Sequence, residues 1–502
     1  MENITNNLSY LIPEILIIVL GFTIIGVGIF TRVRNKFVLP FISITGLIIT
    51  AFFIYYKFDF GSISTLSTTN HNQMNDLLIY GGLLKLDSFS LLFKFIFIII
   101  GIFITLMSID YVDKYINHEG EYYGLIVLSI AGMMIMAAAN ELLTAYIGLE
   151  LLSFSLYILV SLGNDPEKTN ESSIKYILLG GFTSALVLYG ISQIYTELVK
   201  NDILNPTFFT SIGTYASQYE NFPPLFIFGL FLLITGLGFK IAAVPFHTWA
   251  PDIYEGAPLP IAAYLATASK VAGIALILRI FSEVFEGSHS SLIVIVAILA
   301  ILTMSLGNIT AIAQTKYRRL IAYSGISHMG YILVGLATDT VDSYSAIILH
   351  SIGYIFSSLV IFSVLICFYN RTNKDNISDL SGLYKTNSFL ALGITIALLS
   401  TAGLPFFVGF ISKFYLFLAA VAQGLLWLVI IALINSLISL YYYLMVIKEI
   451  YVGTPINEQG ITTNNLEKFI VVSSLIGVIG LGLYPEIIMG AINSAAIAVR
   501  IN

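Results

Sequence analysis

The chain has 502 residues, of which 57% are hydrophobic and 10% charged, with a mean hydropathy of +0.91 and a formal net charge of -6. Soluble domains carry about 25% charged residues, so this composition excludes a soluble globular protein, and an acidic balance without any basic run gives no nucleic-acid partner. The single cysteine, Cys367, and six scattered histidines supply neither an internal disulfide nor a ligand set for an iron–sulfur cluster or other metal, so any redox chemistry is expected in a partner.

From the N-terminus, "MENITNNLSYLIPEILIIVLG" shows no basic leader and no small-residue cleavage site, and is read as a first span rather than a cleaved signal peptide. Apolar runs then recur to the end of the chain. Most exceed the ~18–20 residues that a helix needs to cross the hydrocarbon core, and none shows the alternating segments of about ten residues that mark a membrane barrel. The expected fold is all-α and integral to the membrane, with about fourteen spans at 9–30, 37–56, 86–109, 122–139, 141–162, 173–198, 224–248, 258–281, 291–313, 319–337, 343–369, 387–421, 424–450 and 467–498. The longest polar stretches, 57–85 and 199–223, read as surface loops.

Basic residues orient the spans. With the N-terminus outside, the inner loops collect Arg32, Arg34, Lys36, Lys114, Lys168, Lys175, Lys316, Arg318, Arg319, Arg371, Lys374, Lys385, Lys448 and Lys468. The outer side keeps Lys57, Lys85, Lys200, Arg279 and Arg500. This asymmetry predicts an even number of spans with both termini outside.

Four lysines remain inside spans: Lys94, Lys240, Lys270 and Lys413. Lys94 lies near a span end, where its four-carbon stem can snorkel to the headgroups. Lys270, in "YLATASKVAGIALILRIF", lies at mid-span, where a lysine costs roughly 2.5–3.5 kcal/mol on insertion scales. Lys240 and Lys413 are also too deep to be end residues, and a hydrated interior is the expected setting for all three. Glu150, in "ELLTAYIGLELLSFSLYILV", is the acidic residue that accompanies them, whereas Glu141 reads as a helix-start carboxylate after an Asn140 cap. A buried carboxylate and a buried lysine tune each other's protonation, because burial disfavours both charges while their attraction favours both. The competing reading is a static ion pair that ties two helices together.

Two spans look interrupted. "TGLGFKIAAVPFH" places Gly236 and Gly238 before Lys240 and Pro245 after it, and "STAGLPFFVGFISKFY" places Gly403, Pro405 and Gly409 before Lys413. Backbone groups freed by such residues within a membrane must line water or protein, and broken helices at matching places in two halves point to an ion site. "AYIGLELLSF" around Glu150 and "AYSGISHMGY" around His328 precede the two breaks at similar distances, so His328 takes nearly the place of Glu150 in the second half. A histidine exchanges protons near neutral pH; it also serves as a simple helix-to-helix hydrogen-bonding group. His350, in "IILHSIGYIF", is read as packing.

The segments "GLGFKIAAVPFHTWAPDIYEGAP", "ATASKVAG", "AYSGISHMGY", "GLPFFVGFISKFYLF" and "GLELLSFSLYILV" resemble the antiporter-like membrane subunits of respiratory complex I, the proton-pumping NADH:quinone oxidoreductase, over nearly the whole chain. Within that family the chain is most similar to the subunit N branch. It ends at Asn502 as the last span closes, without the long lateral helix of the longest members, and it carries Lys413 where another branch usually has glutamate. The resemblance implies two inverted five-helix repeats with two broken helices: N-terminal helices within 1–110, a first repeat at 122–281, a second at 291–450 and a last helix at 467–498. It implies that Glu150 pairs with Lys240, that Lys270 links toward the second half, and that Lys413 stands at the outlet, with His328 a further candidate for the proton path. "ILHSIGYIFSSLVIF" departs from the family's aromatic, Asn-containing pattern, so no role is carried onto His350.

By the same resemblance, the chain works in a multi-pass bundle of a bacterial inner or thylakoid membrane, beside neighbouring membrane subunits of the complex. It binds no cofactor itself; flavin, iron–sulfur clusters and quinone belong to other subunits. The alternative is a subunit of a multi-subunit cation/proton antiporter. "HTWAPDIYEGAP", with one histidine between prolines, is expected to be a tight turn rather than a metal site.

Overall fold

The computed structural model describes residues 9–30, 35–57, 77–163, 165–219, 222–284, 290–454 and 460–500. Arg32 and Arg34, most of the 57–85 stretch and the chain's extreme ends lie outside the described residues. The helices are α1 (Ile12–Phe30), α2 (Val38–Lys57), α3 (Ser88–Tyr115), α4 (Glu119–Ala138), α5 (Leu142–Ser161), α6 (Pro166–Lys200), α7 (Phe209–Ala216), α8 (Pro224–Ile241) and α9 (Trp249–Gly256). They continue with α10 (Leu259–Val284), α11 (Ser290–Ile312), α12 (Tyr317–Leu336), α13 (Val341–Thr372), α14 (Leu383–Thr386), α15 (Ser388–Ala402), α16 (Val408–Ala422), α17 (Leu426–Val452), α18 (Asn465–Leu483) and α19 (Glu486–Arg500). Twelve of them are long and apolar enough to cross a membrane. Helix α12 and the pair α15/α16 stand where the sequence predicts two further spans. One small hairpin, β1 (Leu77–Ile79) with β2 (Leu84–Leu86), is antiparallel.

Alternating helix directions give the bundle two ends, and the polar contacts sort accordingly. At one end Lys36 pairs with Asp110 at 2.8 Å, Lys114 donates to the Asn370 carbonyl at 2.7 Å, and Arg371 forms a forked pair with Glu467. At the other, Arg279 forms a forked pair with Asp87, both contacts at 2.5 Å, and Arg500 pairs with Asp339 at 3.0 Å. The basic members of each set are ones that the basic-residue count assigns to the same side.

Several local expectations change. Glu141, not Asn140, caps α5, its carboxylate accepting from the backbone of Leu143 and Thr144, while the Asn140 amide donates to Gly82 and ties down the hairpin. Lys85 and Arg279 are not surface residues: both are buried, Lys85 lying 3.5 Å from Glu283, because the hairpin folds over the end of α10. The 199–223 stretch contains α7, and "HTWAPDIYEGAP" forms the helix α9 rather than a bare turn. The last span is interrupted where Tyr484 and Pro485 separate α18 from α19, since proline removes a ladder donor.

Helices α10 and α13 form the axis. The most apolar window of α10 is 100% buried and that of α13 94% buried, against 28% and 33% for α1 and α2, which face outward. Serine, tyrosine and histidine can therefore sit in α13 without meeting lipid.

Candidate proton path

In the first half, helix α8 stops one residue after Lys240. Ala242 closes it in the left-handed region at φ 59°, and the backbone freed there is recaptured: Ala243 donates to Gly238 at 2.8 Å and Val244 to the Thr303 hydroxyl at 3.0 Å. A left-handed alanine costs roughly 1–2 kcal/mol, and complete burial of Ala242 holds it. Lys240 is 4% exposed, and its ammonium donates to the Ser153 hydroxyl on α5 at 3.0 Å. Ser153 follows Glu150 by one helical turn. The buried Oε1 of Glu150 has no hydrogen-bond partner, and among the described residues no ion pair within 4.0 Å joins Glu150 to Lys240. The pairing expected from the resemblance is thus open here, because Ser153 takes the ammonium. A small cavity adjoins it, lined by Ser153, Tyr157, Tyr176, Thr183, Ser184 and Lys240.

In the centre, Lys270 follows a π-helical turn at Leu265–Ser269 within α10. Gly273, one turn further, lies against the Lys240 stem: a Cβ there would be 3.3 Å from Lys240 Cγ. The Lys270 side chain is 0% exposed, and its ammonium has no hydrogen-bond partner and lies 5.8 Å from the Tyr254 ring centre. It points at Gly325 of α12, where a Cβ would come within 2.6 Å of the ammonium and 2.7 Å of the Tyr354 hydroxyl. The hydroxyls of Tyr254 and Tyr354 are likewise buried without protein partners. Buried polar groups of this kind are ordinarily served by ordered water.

In the second half, the Tyr354 ring lies 5.1 Å from that of His328. His328 Nδ1 is 3.2 Å from His350 Nε2, and His350 Nδ1 is 2.9 Å from the Ser412 hydroxyl. Lys413, next in sequence, donates to the Thr401 and Ala402 carbonyls at 3.0 and 3.1 Å and to Ser436 at 3.2 Å. Those carbonyls are exposed to it because α15 ends at Ala402, where Gly403 turns the chain at φ 90°, and α16 resumes at Val408. The Tyr331 ring lies 4.6 Å from the same ammonium. A neutral histidine offers one donor and one acceptor, so His328 and His350 in series can pass a proton toward Ser412 by exchanging tautomers.

Five residues singled out from the sequence therefore fall on one course, Lys240, Lys270, His328 and Lys413 buried and Glu150 half-buried at its start. Lys94 does not belong to it. It is not a snorkelling residue either, since it is 1% exposed and paired at 2.5 Å with Glu14 of α1. His350 was expected to be packing and instead bridges His328 and Ser412. Its signal was Tyr354 four residues on, which places two polar groups on one face of an apolar helix.

Residues 139–439 match the family described as "NADH:quinone oxidoreductase/Mrp antiporter, TM". The chain belongs to that family. It is 38% identical, over 87% of its length and 90% of the relative's, to the NADH-quinone oxidoreductase subunit N of Desulforamulus reducens, and 36% identical, over 96% and 98%, to that of Dehalococcoides mccartyi. It is also 34% identical to NAD(P)H-quinone oxidoreductase subunit 2 of Trichormus variabilis, over 89% of this chain and 83% of the relative. Among solved structures it shares its fold with a chain of respiratory complex I from Thermus thermophilus, at a TM-score of 0.77 and 24% identity, covering 95% of this chain and 98% of that one. A chain of the Mrp complex from Dietzia superposes at 0.83 with 19% identity, covering 98% of both. The family match contains the whole course from Glu150 to Lys413.

Proposed function

We propose that the chain is the N-type antiporter-like subunit of the membrane arm of a complex I type quinone oxidoreductase, and that it moves protons along Glu150, Lys240, Lys270, His328, His350 and Lys413. The observation that carries this reading is the course itself: ionisable side chains from α5, α8, α10, α12, α13 and α16 follow one another inside the bundle, two of them at helix breaks. Lys240 holds a proton when Glu150 is close and gives it up toward Lys270 when the two part. The histidine pair hands the proton on to the Ser412–Lys413 end. No atom of this chain needs to change oxidation state. Flavin, iron–sulfur clusters and quinone belong to other subunits, whose chemistry moves these charges through contacts between helices.

We further propose that 122–281 and 291–450 are the two inverted repeats, that both termini lie on the periplasmic or lumenal side, and that neighbouring antiporter-like and small membrane subunits flank the chain. Subunit N names among relatives at 36–38% identity over most of the chain support the complex I reading. The fold shared with the Mrp chain keeps a cation/proton antiporter as the second reading.

The test is proton pumping by the whole complex in vesicles carrying Glu150→Gln. An amide keeps the shape of the carboxylate but removes the charge that retains the Lys240 proton, so assembly is expected to persist while pumping falls. Wild-type pumping in the assembled variant would reduce Glu150 to a packing residue.

A further inference from the structure

Beside the first helix break lies a narrow crevice walled by Ile241, Ala243, Val244 and Phe246 of the broken segment, by Phe281 of α10 and by Val296 of α11. Every lining side chain is apolar. Ordered water needs two to four polar partners, so this space suits hydrocarbon. One rim residue, Ile295, is 46% exposed on the membrane-facing side of α11, and Phe281 and Leu299 beside it are half-buried, so the crevice is continuous with the lipid-facing surface of the bundle.

We propose that this crevice is a binding site for one acyl chain of a membrane lipid, entering between α10 and α11 at Ile295. The occupant is a hydrocarbon chain because the walls offer only dispersion contacts. A lipid is its source because the mouth opens where the bilayer surrounds the protein. The chain's tip lies against residues 243–246, the stretch that replaces helix immediately after Lys240, where the Phe246 ring fills the space beside Gly238. A bound acyl chain thus packs the outer side of the break and opposes its straightening. Binding itself is independent of any proton-carrying role for Lys240.

The test uses the intact complex in nanodiscs containing phosphatidylcholine with a photoactivatable diazirine near the acyl terminus, followed by peptide mapping. Labelling is expected on the peptide containing 243–246 and at Phe281, as well as on outward residues such as Ile298, which is 49% exposed. Val296→Phe, which fills the crevice, is expected to abolish labelling of 243–246 and Phe281, while Ile298→Phe, outside it, leaves that labelling in place. If Val296→Phe fails to assemble, Leu299→Trp narrows the half-buried rim and carries the same expectation. Labelling confined to outward-facing residues in the unaltered complex, or labelling of 243–246 that survives the filling variant, overturns the proposal. So does labelling by a diazirine isoprenoid but not by the acyl probe.

Discussion

The difference between a carrier and a counter-ion rests on one side chain. A desolvated lysine can release its proton, whereas an arginine stays charged in essentially every protein setting. Lys240→Arg is therefore expected to assemble and yet lose much of its proton translocation in vesicles containing the whole complex, with Lys240→Ala measured beside it to control for bulk. A fully pumping arginine variant would leave Lys240 as a fixed charge. His350 allows a sharper comparison, because it touches both His328 and Ser412. Groups that act as one relay are non-additive, so His328→Ala and His350→Ala should each impair pumping, and the double variant should pump no worse than the weaker of the two. Independent losses that multiply would show that the two rings do not act in series.

At the scale of helices, two glycines make opposite predictions. A Cβ at Gly325 meets the flexible ends of Lys270 and Tyr354, whereas a Cβ at Gly409 would lie 1.8 Å from the Ser400 carbonyl oxygen, a backbone atom. Gly325→Ala should displace the lysine and lower pumping in a complex that still assembles. Gly409→Ala should force α16 off α15 and lower assembly, by about 1–3 kcal/mol or more of stability on the scale of overpacked sites, read as a fall in the yield of intact complex. Helix α9 shows how the first break is anchored. Lys316 pairs with Glu255 at 2.6 Å, and Arg319 pairs with Asp252 at 2.8 Å and Glu255 at 3.0 Å. Burial alone would raise the Glu255 carboxyl, but hydrogen bonds from Lys316 and Arg319 outweigh it and hold its pKa below the ordinary value. A depressed carboxyl contributes stability in full above the unfolded pKa and loses it as pH falls through the folded one. Melting curves should accordingly show Glu255→Gln less stable than the unaltered protein at neutral pH, with the gap closing below the usual carboxylate range; a gap independent of pH would deny the charge its role.

Across the whole molecule, the two sets of end contacts require that the 371–385 loop share a side with Lys36 and Lys114. In a Cys367→Ser background, cysteines placed in 371–385 should react with an impermeant reagent only from the cytoplasmic or stromal side; labelling from the opposite side would reverse the orientation. The spans were legible because crossing hydrocarbon demands long apolar helices, and the alternation of Lys and Arg between loops survives any small error in boundaries. The lysines of the course were legible for the same reason, since a charge within such a run is costly enough to need a purpose. What the linear order could not disclose was partnership. Glu14 lies 80 positions from Lys94, and Ser153 is 87 from Lys240, so which carboxylate or hydroxyl meets which ammonium depends on how α1 and α3 both pack on α2 and α4, and α5 and α8 both on α6. His350 acquired its place only when α12, α13 and α16 converged, and Lys85 and Arg279 left the surface only when the hairpin closed over α10. By itself the sequence determined the membrane fold, the two breaks and which residues carry charge, because these follow from local hydrophobicity and from glycine and proline. Tertiary structure alone decided which polar groups stand beside Lys240, Lys270, His328 and Lys413, because hydrogen bonds act over about 3 Å and only helix packing brings distant side chains that close.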